Sequence, residues 1–157
     1  MRVLVMSDSH GGLSEIRLAA RAAGEIDCAL HLGDFAGDAR ALASLLKAPV
    51  HAVRGNCDAS PGYETEKVVT LAGARIFMTH GHLYGVKSGV WALAERAEAL
   101  GCAAALYGHT HVSSVAAQGP MLLVNPGSPS RPVLGRKRSV AVLEIENGDV
   151  RPRIITF

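Results

Sequence analysis

The chain has 157 residues, of which 48% are hydrophobic and 19% charged, a composition typical of a single globular domain, which we expect over 1–157. Its formal net charge of +2 is too small to favour duplex nucleic acid or an anionic membrane as partner. No apolar run approaches a membrane span, and the odd set of three cysteines shows no metal-type pairing, so we expect a reduced, cytoplasmic environment.

The first third of the chain alternates between strand and helix patterns. Strands are predicted at Arg2–Ser7, Cys28–Leu32 and Val50–Val53. An apolar helical face follows the first strand and is closed by Gly24, and Asp38 is predicted to cap a second helix that ends before Pro49. This alternation predicts parallel strands joined by helical crossovers.

The rest of the chain is predicted to be richer in strands. Ala72-Gly73 is predicted as the turn of one hairpin and Asn147-Gly148 as the turn of another. Ser88 is predicted to cap a helix that ends at Gly101. The strands are predicted at Glu66–Leu71, Ala74–Thr79, Ala103–Tyr107, Val112–Ala117, Met121–Val124, Ser139–Glu146 and Val150–Phe157. Many strands with few helices predict two sheets that are covered by helices on their outer faces.

Five short clusters of potential metal ligands each follow an apolar run. They are Asp8-Ser9-His10, Gly33-Asp34, Gly55-Asn56-Cys57-Asp58, His80-Gly81-His82 and Gly108-His109-Thr110-His111. Each has an ordinary alternative, because Asp and Asn commonly form caps and turns and a histidine pair can belong to a satisfied core. Five such clusters in order, each after a predicted strand, instead predict one site at the carboxyl ends of the strands.

The donor types in these clusters indicate the chemistry of the site. Carboxylates, an amide and imidazoles suit divalent first-row metals. A carboxylate between two metals can bridge them, and Asp34, which is central in the order, is the candidate. Two metals about 3.5–4 Å apart can hold a hydroxide and the non-ester oxygens of a phosphate ester, so the clusters predict phosphoester hydrolysis.

The ordered motifs D-x-H, G-D, G-N-x-D, H-G-H and G-H-x-H resemble those of the calcineurin-like metallophosphoesterase superfamily. The segments HLGD, RGNCD, THGH, GHTH and NPGS, which end at Ser128, resemble its small prokaryotic phosphodiesterase branch. The resemblance implies an α/β fold, a four-layer α-β-β-α sandwich of two mixed sheets flanked by helices. It also implies two divalent metal ions, usually manganese, with iron, zinc or nickel as alternatives. One ion would be bound by Asp8, His10, Asp34 and His111, and the other by Asp34, Asn56, His80 and His109.

One position departs from the wider superfamily. Many phosphomonoesterase relatives carry, directly after the asparagine, a histidine that can protonate the leaving group, whereas this chain has Cys57. A neutral thiol is a poor substitute, so the resemblance favours diesters. His82 partly fills this catalytic role or, as the simpler alternative, packs beside the ligands. Asp58 is expected to orient a ligand or to steady the loop of Arg54.

The remaining expectations concern function and partners. The first hypothesis is metal-dependent phosphodiester hydrolysis of a small substrate, in which a hydroxide bridging two metal ions attacks phosphorus. The second is a phosphomonoesterase or nucleotide pyrophosphatase on the same site. The third is a protein-interaction scaffold, because the superfamily includes a small retromer subunit with a degraded site. The basic segment from Arg131 to Arg138 either steers anionic substrates or is a solvated loop, and a homo-oligomer is an open expectation.

Overall fold

The computed structural model describes residues 1–59 and 62–157. The strands are β1 (Arg2–Met6), β2 (Cys28–His31), β3 (Val50–Ala52), β4 (Glu66–Leu71), β5 (Ala74–Thr79), β6 (Ala104–Leu106), β7 (Ser114–Gln118), β8 (Met121–Asn125), β9 (Ser139–Glu146) and β10 (Asp149–Thr156). The helices are α1 (Leu13–Ala23), α2 (Asp38–Leu46) and α3 (Trp91–Ala99), with a short 3-10 helix at His82–Tyr84. Within the described ranges, no helix combines the length and apolar character needed to cross a bilayer.

The strands form two mixed five-stranded sheets. The first has the order β10-β9-β1-β2-β3, with β1, β2 and β3 parallel and β9 antiparallel to β1. The second has the order β4-β5-β6-β8-β7, with β5, β6 and β8 parallel and an antiparallel strand at each edge. The predicted helical crossovers of the first third and the two-sheet α/β architecture are therefore confirmed.

The layers follow from the alternation of side chains along the strands. On β1, Val3 and Val5 face the second sheet, where they join a buried cluster that contains Ile76 and Met78. Leu4 and Met6 face the opposite way and pack with residues of α1 and α2, while α3 packs on the outer face of the second sheet. The result is the expected α-β-β-α order of layers.

The predicted C-terminal cap of α1, Gly24, is confirmed, but both predicted N-terminal caps are wrong. Gly37 holds the N-cap position of α2, and the Asp38 carboxylate instead accepts hydrogen bonds from Ser9 Oγ (2.6 Å) and from the Gly11 N–H (2.9 Å). The third helix starts at Trp91 rather than beside Ser88, whose N–H closes a turn on the Gly85 carbonyl. In the first case a contact with a distant loop outcompetes the local capping role of the aspartate.

The two predicted hairpin turns are confirmed, and they touch each other. Ala72 and Gly73 have φ of 45° and 87°, and Asn147 and Gly148 have φ of 51° and 86°, as type I′ turns require. The Gly148 N–H donates to the Ala72 carbonyl at 2.9 Å, which joins the ends of the two sheets.

Candidate metal centre

The polar clusters meet at the carboxyl ends of five strands. Asp8 and His10 follow β1, Asp34 follows β2, Asn56 follows β3, His80 follows β5, and His109 and His111 follow β6. Each of these side chains lies beyond the last residue of its strand, in the loop that follows. Five of them have left-handed backbone, with φ of 56° at Asp8, 46° at His10, 54° at Asp34, 66° at His109 and 56° at His111.

Four side chains form a compact cluster of potential donors. The donor atoms of Asp8, His10, Asp34 and His111 all lie within 4.8 Å of one another. His111 Nε2 is 3.2 Å from Asp8 Oδ1, and His10 Nε2 is 3.5 Å from His111 Nε2. Two imidazole nitrogens and two carboxylates that face one point can bind a divalent cation.

A second group of side chains adjoins this cluster through Asp34. His80 Nε2 lies 3.4 Å from Asp34 Oδ1, and the rings of His80 and His109 are 5.1 Å apart. The Asn56 amide lies further out, where its Nδ2 is 3.4 Å from Cys57 Sγ, and within the described residues no hydrogen bond joins it to the histidines. Its loop is nevertheless fastened to the centre, because the Cys57 N–H donates to Asp34 Oδ1 at 2.9 Å.

Of the four buried side-chain atoms that lack a hydrogen-bond partner in the part of the chain that the structure describes, two belong to candidate metal ligands. They are Asp8 Oδ1 and His80 Nε2, which lie 3.9 Å apart in side chains with no exposed surface. A buried carboxylate oxygen and imidazole nitrogen left unsatisfied would each cost about 1–3 kcal/mol. A cation between them removes this cost, so the residues present fit a bound metal.

Backbone carbonyls orient two of the imidazoles. The Nδ1 atom of His80 lies 2.9 Å from the Leu32 carbonyl oxygen, and that of His111 contacts the Arg131 carbonyl oxygen. Because a carbonyl only accepts, Nδ1 carries the proton in both rings and the Nε2 lone pair faces the centre. This outer support is the kind that metal-binding histidines have.

The electrostatics of the centre favour charged carboxylate and neutral imidazole. Burial alone would raise the pKa of Asp8, but contacts with His111, His80 and Ser7 outweigh it and lower that pKa overall. Burial lowers the pKa of His10 and of His109, so both rings are neutral donors at neutral pH. The Asp8 carboxylate, whose Oδ1 is 3.2 Å from His111 Nε2, raises the pKa of His111, so a bound cation would compete with a proton for this nitrogen.

Glycines and one carboxylate allow the ligand loops to approach closely. A Cβ at Gly55 would collide with Asp34 Oδ1, and one at Gly108 would collide with Ser7 Oγ. Asp58 accepts hydrogen bonds from the Gly55 N–H at 2.8 Å and the Ala36 N–H at 2.7 Å. Asp58 therefore connects the loop of Asn56 to the loop that carries Asp34.

Neither candidate for a leaving-group acid is suited to that role. Burial, with the nearby Asp34 carboxylate, raises the pKa of Cys57 to about 11, so the thiol holds its proton too tightly. The His82 ring lies 5.4 Å from that of His80, and its Nδ1 is buried without a hydrogen bond in the described structure. Burial and His80 lower the pKa of His82, which leaves the ring neutral and favours the packing alternative.

Three cations surround the centre, and one of them was missed from the sequence. The charge of Arg131 acts on His10, that of Arg54 on His82 and that of Lys87 on His109. None of the three pairs with a carboxylate among residues 1–59 and 62–157. Lys87 follows the 3-10 helix, an element that the sequence pattern did not predict.

A family model described as the calcineurin-like phosphoesterase superfamily domain matches residues 1–148. The chain belongs to this superfamily. A probable metallophosphoesterase of Bacillus subtilis, YsnB, is 36% identical over 148 residues, which cover 94% of this chain and 86% of that protein. The phosphodiesterase YfcE of Escherichia coli K12 is 36% identical over 104 residues, 60% of this chain and 52% of YfcE.

Solved structures of calcineurin-like relatives share the whole fold. A conserved protein of Streptococcus pneumoniae, described as a predicted phosphoesterase, has a TM-score of 0.81 and 33% identity, covering 99% of this chain and 88% of that one. Vps29 of Entamoeba histolytica has a TM-score of 0.76 and 26% identity, covering 100% of this chain and 99% of that one. The fold thus occurs in phosphoesterase relatives and in Vps29.

Proposed function

We propose that this phosphoesterase hydrolyses phosphate diesters and depends on two divalent metal ions. One observation carries the proposal: Asp8 Oδ1 and His80 Nε2 are buried 3.9 Å apart and lack hydrogen bonds within the described structure. They lie where the loops that follow β1, β2, β5 and β6 of this chain converge. Leaving both atoms unsatisfied would cost stability, whereas a metal centre uses both.

The proposed donors divide into two sets that share Asp34. One set is Asp8, His10, Asp34 and His111, and the other is Asp34, Asn56, His80 and His109. Bound ions would supply a hydroxide nucleophile at neutral pH and neutralise charge on the phosphate oxygens. We propose manganese, with iron, zinc or nickel as alternatives, because the donors are oxygen and imidazole nitrogen without thiolate.

The chain's own residues orient the donors and attract the substrate. The carbonyls of Leu32 and Arg131 fix two imidazoles, so the rings need not reorganise during the reaction. Arg54, Lys87 and Arg131 surround the centre without carboxylate partners in the described ranges. Cations in this arrangement favour a small anionic phosphodiester over a neutral substrate.

The proposed preference for diesters rests on the absence of a side chain suited to protonating the leaving group. A thiol with a pKa of about 11 and a neutral His82 do not readily protonate an alkoxide leaving group. Hydrolysis is then efficient only when the departing oxygen is stable as an anion, as in activated diesters. The similarity to YfcE, a phosphodiesterase, supports the same assignment. A phosphomonoesterase or nucleotide pyrophosphatase on this site is the alternative.

The test combines metal analysis with a pair of substrates. Chelated protein should be inactive, and manganese should restore hydrolysis of bis(p-nitrophenyl) phosphate well above that of an alkyl monoester. His80→Asn should lose metal and activity, whereas His51→Asn, on β3 outside the centre, should retain both. Undiminished turnover in protein shown to be metal-free by elemental analysis would falsify the proposal.

A protein-interaction scaffold is the second candidate, favoured by the likeness to Vps29. The set of donors argues against it, because every ligand position implied by the motifs is filled in this chain. Measuring manganese binding together with hydrolysis distinguishes the enzyme from the scaffold. A chain that binds manganese but hydrolyses no ester, diester or pyrophosphate would support the scaffold.

The cytoplasm remains the proposed location. Its support is that Cys28, Cys57 and Cys102 are all free, with Cys28 and Cys102 buried. Unpaired cysteines are typical of a reducing compartment. A homo-oligomer stays an expectation, which sedimentation of the manganese-loaded protein would test.

A further inference from the structure

Ser9, His31 and the half-buried Asp38 form a hydrogen-bonded group that adjoins the loops of the candidate metal centre. Ser9 Oγ is 2.9 Å from His31 Nε2 and donates to Asp38 Oδ2 at 2.6 Å. Ser9 and His31 have no exposed surface. We call these three residues the Ser9–His31–Asp38 bridge, and none of them belongs to either proposed donor set.

The direction of each hydrogen bond in the bridge is determined by its partners. The Asp38 carboxylate only accepts, so the Ser9 hydroxyl gives its proton to Asp38 and receives the Nε2–H of His31. His31 Nδ1 then accepts from the Gly33 N–H at 3.3 Å. Burial lowers the pKa of His31, which is consistent with this neutral ring.

This arrangement excludes a serine nucleophile activated by histidine, although the three residue types match such a triad. The serine proton points to the carboxylate rather than to the imidazole, and the one basic ring nitrogen is occupied by the Gly33 N–H. The bridge therefore holds structure in place and performs no proton transfer.

The bridge joins two loops that carry proposed metal ligands. Asp38 Oδ2 also accepts from the Gly11 N–H at 2.9 Å, so it holds the residues on both sides of His10. On the other side, His31 holds Gly33, the neighbour of Asp34, and the Gly33 carbonyl accepts from the Asp8 N–H at 3.0 Å. The distance between His10 and Asp34 thus depends on this network.

Two of the proposed ligands have strained backbone conformations that need supporting contacts. His10 and Asp34 have φ of 46° and 54°, conformations that cost of order 1–3 kcal/mol each and persist only where surrounding contacts impose them. Bonds on both sides of His10 and immediately before Asp34 are contacts of that kind. Without them, each loop would relax and move its ligand.

We propose that Ser9, His31 and Asp38 are positioning residues that set the spacing of His10 and Asp34 and thereby the metal affinity of the centre. The inference rests on the proposed function, because it presupposes that these ligands bind metal. Outer residues of this kind change metal affinity by about 10–100-fold when they are removed.

The first test compares two buried serines. Ser9→Ala removes the middle of the bridge, whereas Ser139→Ala removes a buried hydroxyl that donates to the Pro126 carbonyl at 2.8 Å. Calorimetric titration of chelated protein with manganese should show affinity about 10–100-fold weaker for Ser9→Ala and near parental for Ser139→Ala. The absorption spectrum of the cobalt-loaded protein should change only for Ser9→Ala. Parental affinity and spectrum in Ser9→Ala would overturn the inference.

The second test separates hydrogen bonding from packing at position 31. His31→Gln keeps a donor near the position of Nε2, and His31→Leu fills the space without one. The glutamine variant keeps the bond to Ser9 but loses the acceptor for the Gly33 N–H, so it should bind manganese more weakly than the parent and more tightly than the leucine variant. The leucine variant should bind manganese as weakly as Ser9→Ala. Equal affinities for the two variants would contradict a positioning role.

The outcomes also separate this inference from the proposed function. A parent that binds no divalent metal would overturn both. A parent that binds manganese tightly but hydrolyses no diester would overturn the diesterase proposal alone, because the affinities still test the bridge. Equal manganese affinity in the parent and Ser9→Ala would overturn the bridge alone.

Discussion

Asp34 is the residue on which both proposed donor sets depend. Its two oxygens face different partners, with Oδ1 3.4 Å from His80 Nε2 and Oδ2 3.9 Å from His10 Nε2. Asp34→Asn removes the charge shared by two cations, so we expect loss of metal and a fall in kcat/KM of at least ~100-fold. Elemental analysis and diester kinetics check this, with Asp149→Asn on β10 as control. Two metals and a near-normal rate in Asp34→Asn would show that Asp34 is not the residue that bridges the two ions.

The proposed preference for stable leaving groups depends on the residue at position 57. Its thiol holds its proton up to a pKa of about 11, so installing an imidazole with Cys57→His supplies an acid of suitable strength. We expect the ratio of monoesterase to diesterase kcat/KM to rise in this variant, while Cys102→Ser leaves the ratio unchanged. A parent that strongly prefers alkyl monoesters would overturn the diesterase assignment and leave the metal site intact.

The identities of the candidate ligands were predictable from the sequence, but their backbone conformations were not. A spacing of two residues, as between Asp8 and His10, is that of neighbours on one face of an extended strand, whereas both residues have left-handed φ. Such strain is offset by distant contacts, such as the bond of 2.8 Å from Ser128 Oγ to the Asp8 carbonyl. Because these partners are far apart in the chain, no local pattern shows them, and His31 escaped notice for the same reason.

The 3-10 helix His82–Tyr84 is fastened to β4 through Tyr84, whose hydroxyl donates to Glu66 Oε1 at 2.6 Å. We expect Tyr84→Phe to lower the free energy of unfolding by about 1 kcal/mol and Tm by about 2–4 °C. Thermal melting at neutral pH measures this, with Tyr63→Phe for comparison. A melting curve identical to that of the parent would show that the bond contributes nothing.

The same contact predicts a dependence on pH. Burial and then Glu66 raise the pKa of Tyr84 to about 12, above its unfolded value of about 10. Folding therefore favours the protonated phenol, so its contribution is complete below pH about 10 and is lost as pH rises towards 12. The stability difference between the parent and Tyr84→Phe, measured in urea, should be constant up to about pH 10 and shrink between about pH 10 and pH 12. A difference that stays constant would contradict this assignment.

Strands were predicted better than helix starts. Alternation of buried residues places β1 and β9 within one residue of their observed ends, because each face of these strands meets a different layer. Asp38 has the type and position of a helix cap, but its carboxylate binds Ser9 and Gly11 instead. A local signal fails here because a long-range contact uses the same atoms.

At the scale of the whole molecule, the metal centre connects the two sheets. Asp8 and Asp34 extend from the first sheet, and His80 and His109 from the second. Without a cation the two carboxylates repel each other, so binding should stabilise the fold by mass action. At 100 times Kd we expect manganese to add about 2.7 kcal/mol and to raise Tm by about 5–10 °C.

Scanning calorimetry across a manganese titration measures this shift, and Asp34→Asn serves as the control that should respond weakly. A melting temperature that stays constant while activity returns would contradict the linkage between metal and fold.

The two ends of the sandwich are held together in different ways, by the contact between the hairpin turns at one end and by the candidate metal ligands at the other. The bond from Gly148 to the Ala72 carbonyl is made of backbone alone and lies at the end of the sheets opposite the ligands. At the ligand end, by contrast, the sheets are joined by side chains that the proposed metal ions would hold together. Chelation should therefore loosen the contact between the sheets first at the ligand end, while the backbone bond between the turns persists. Amide hydrogen exchange would then quicken first around His80 and Gly108 and last at the turns.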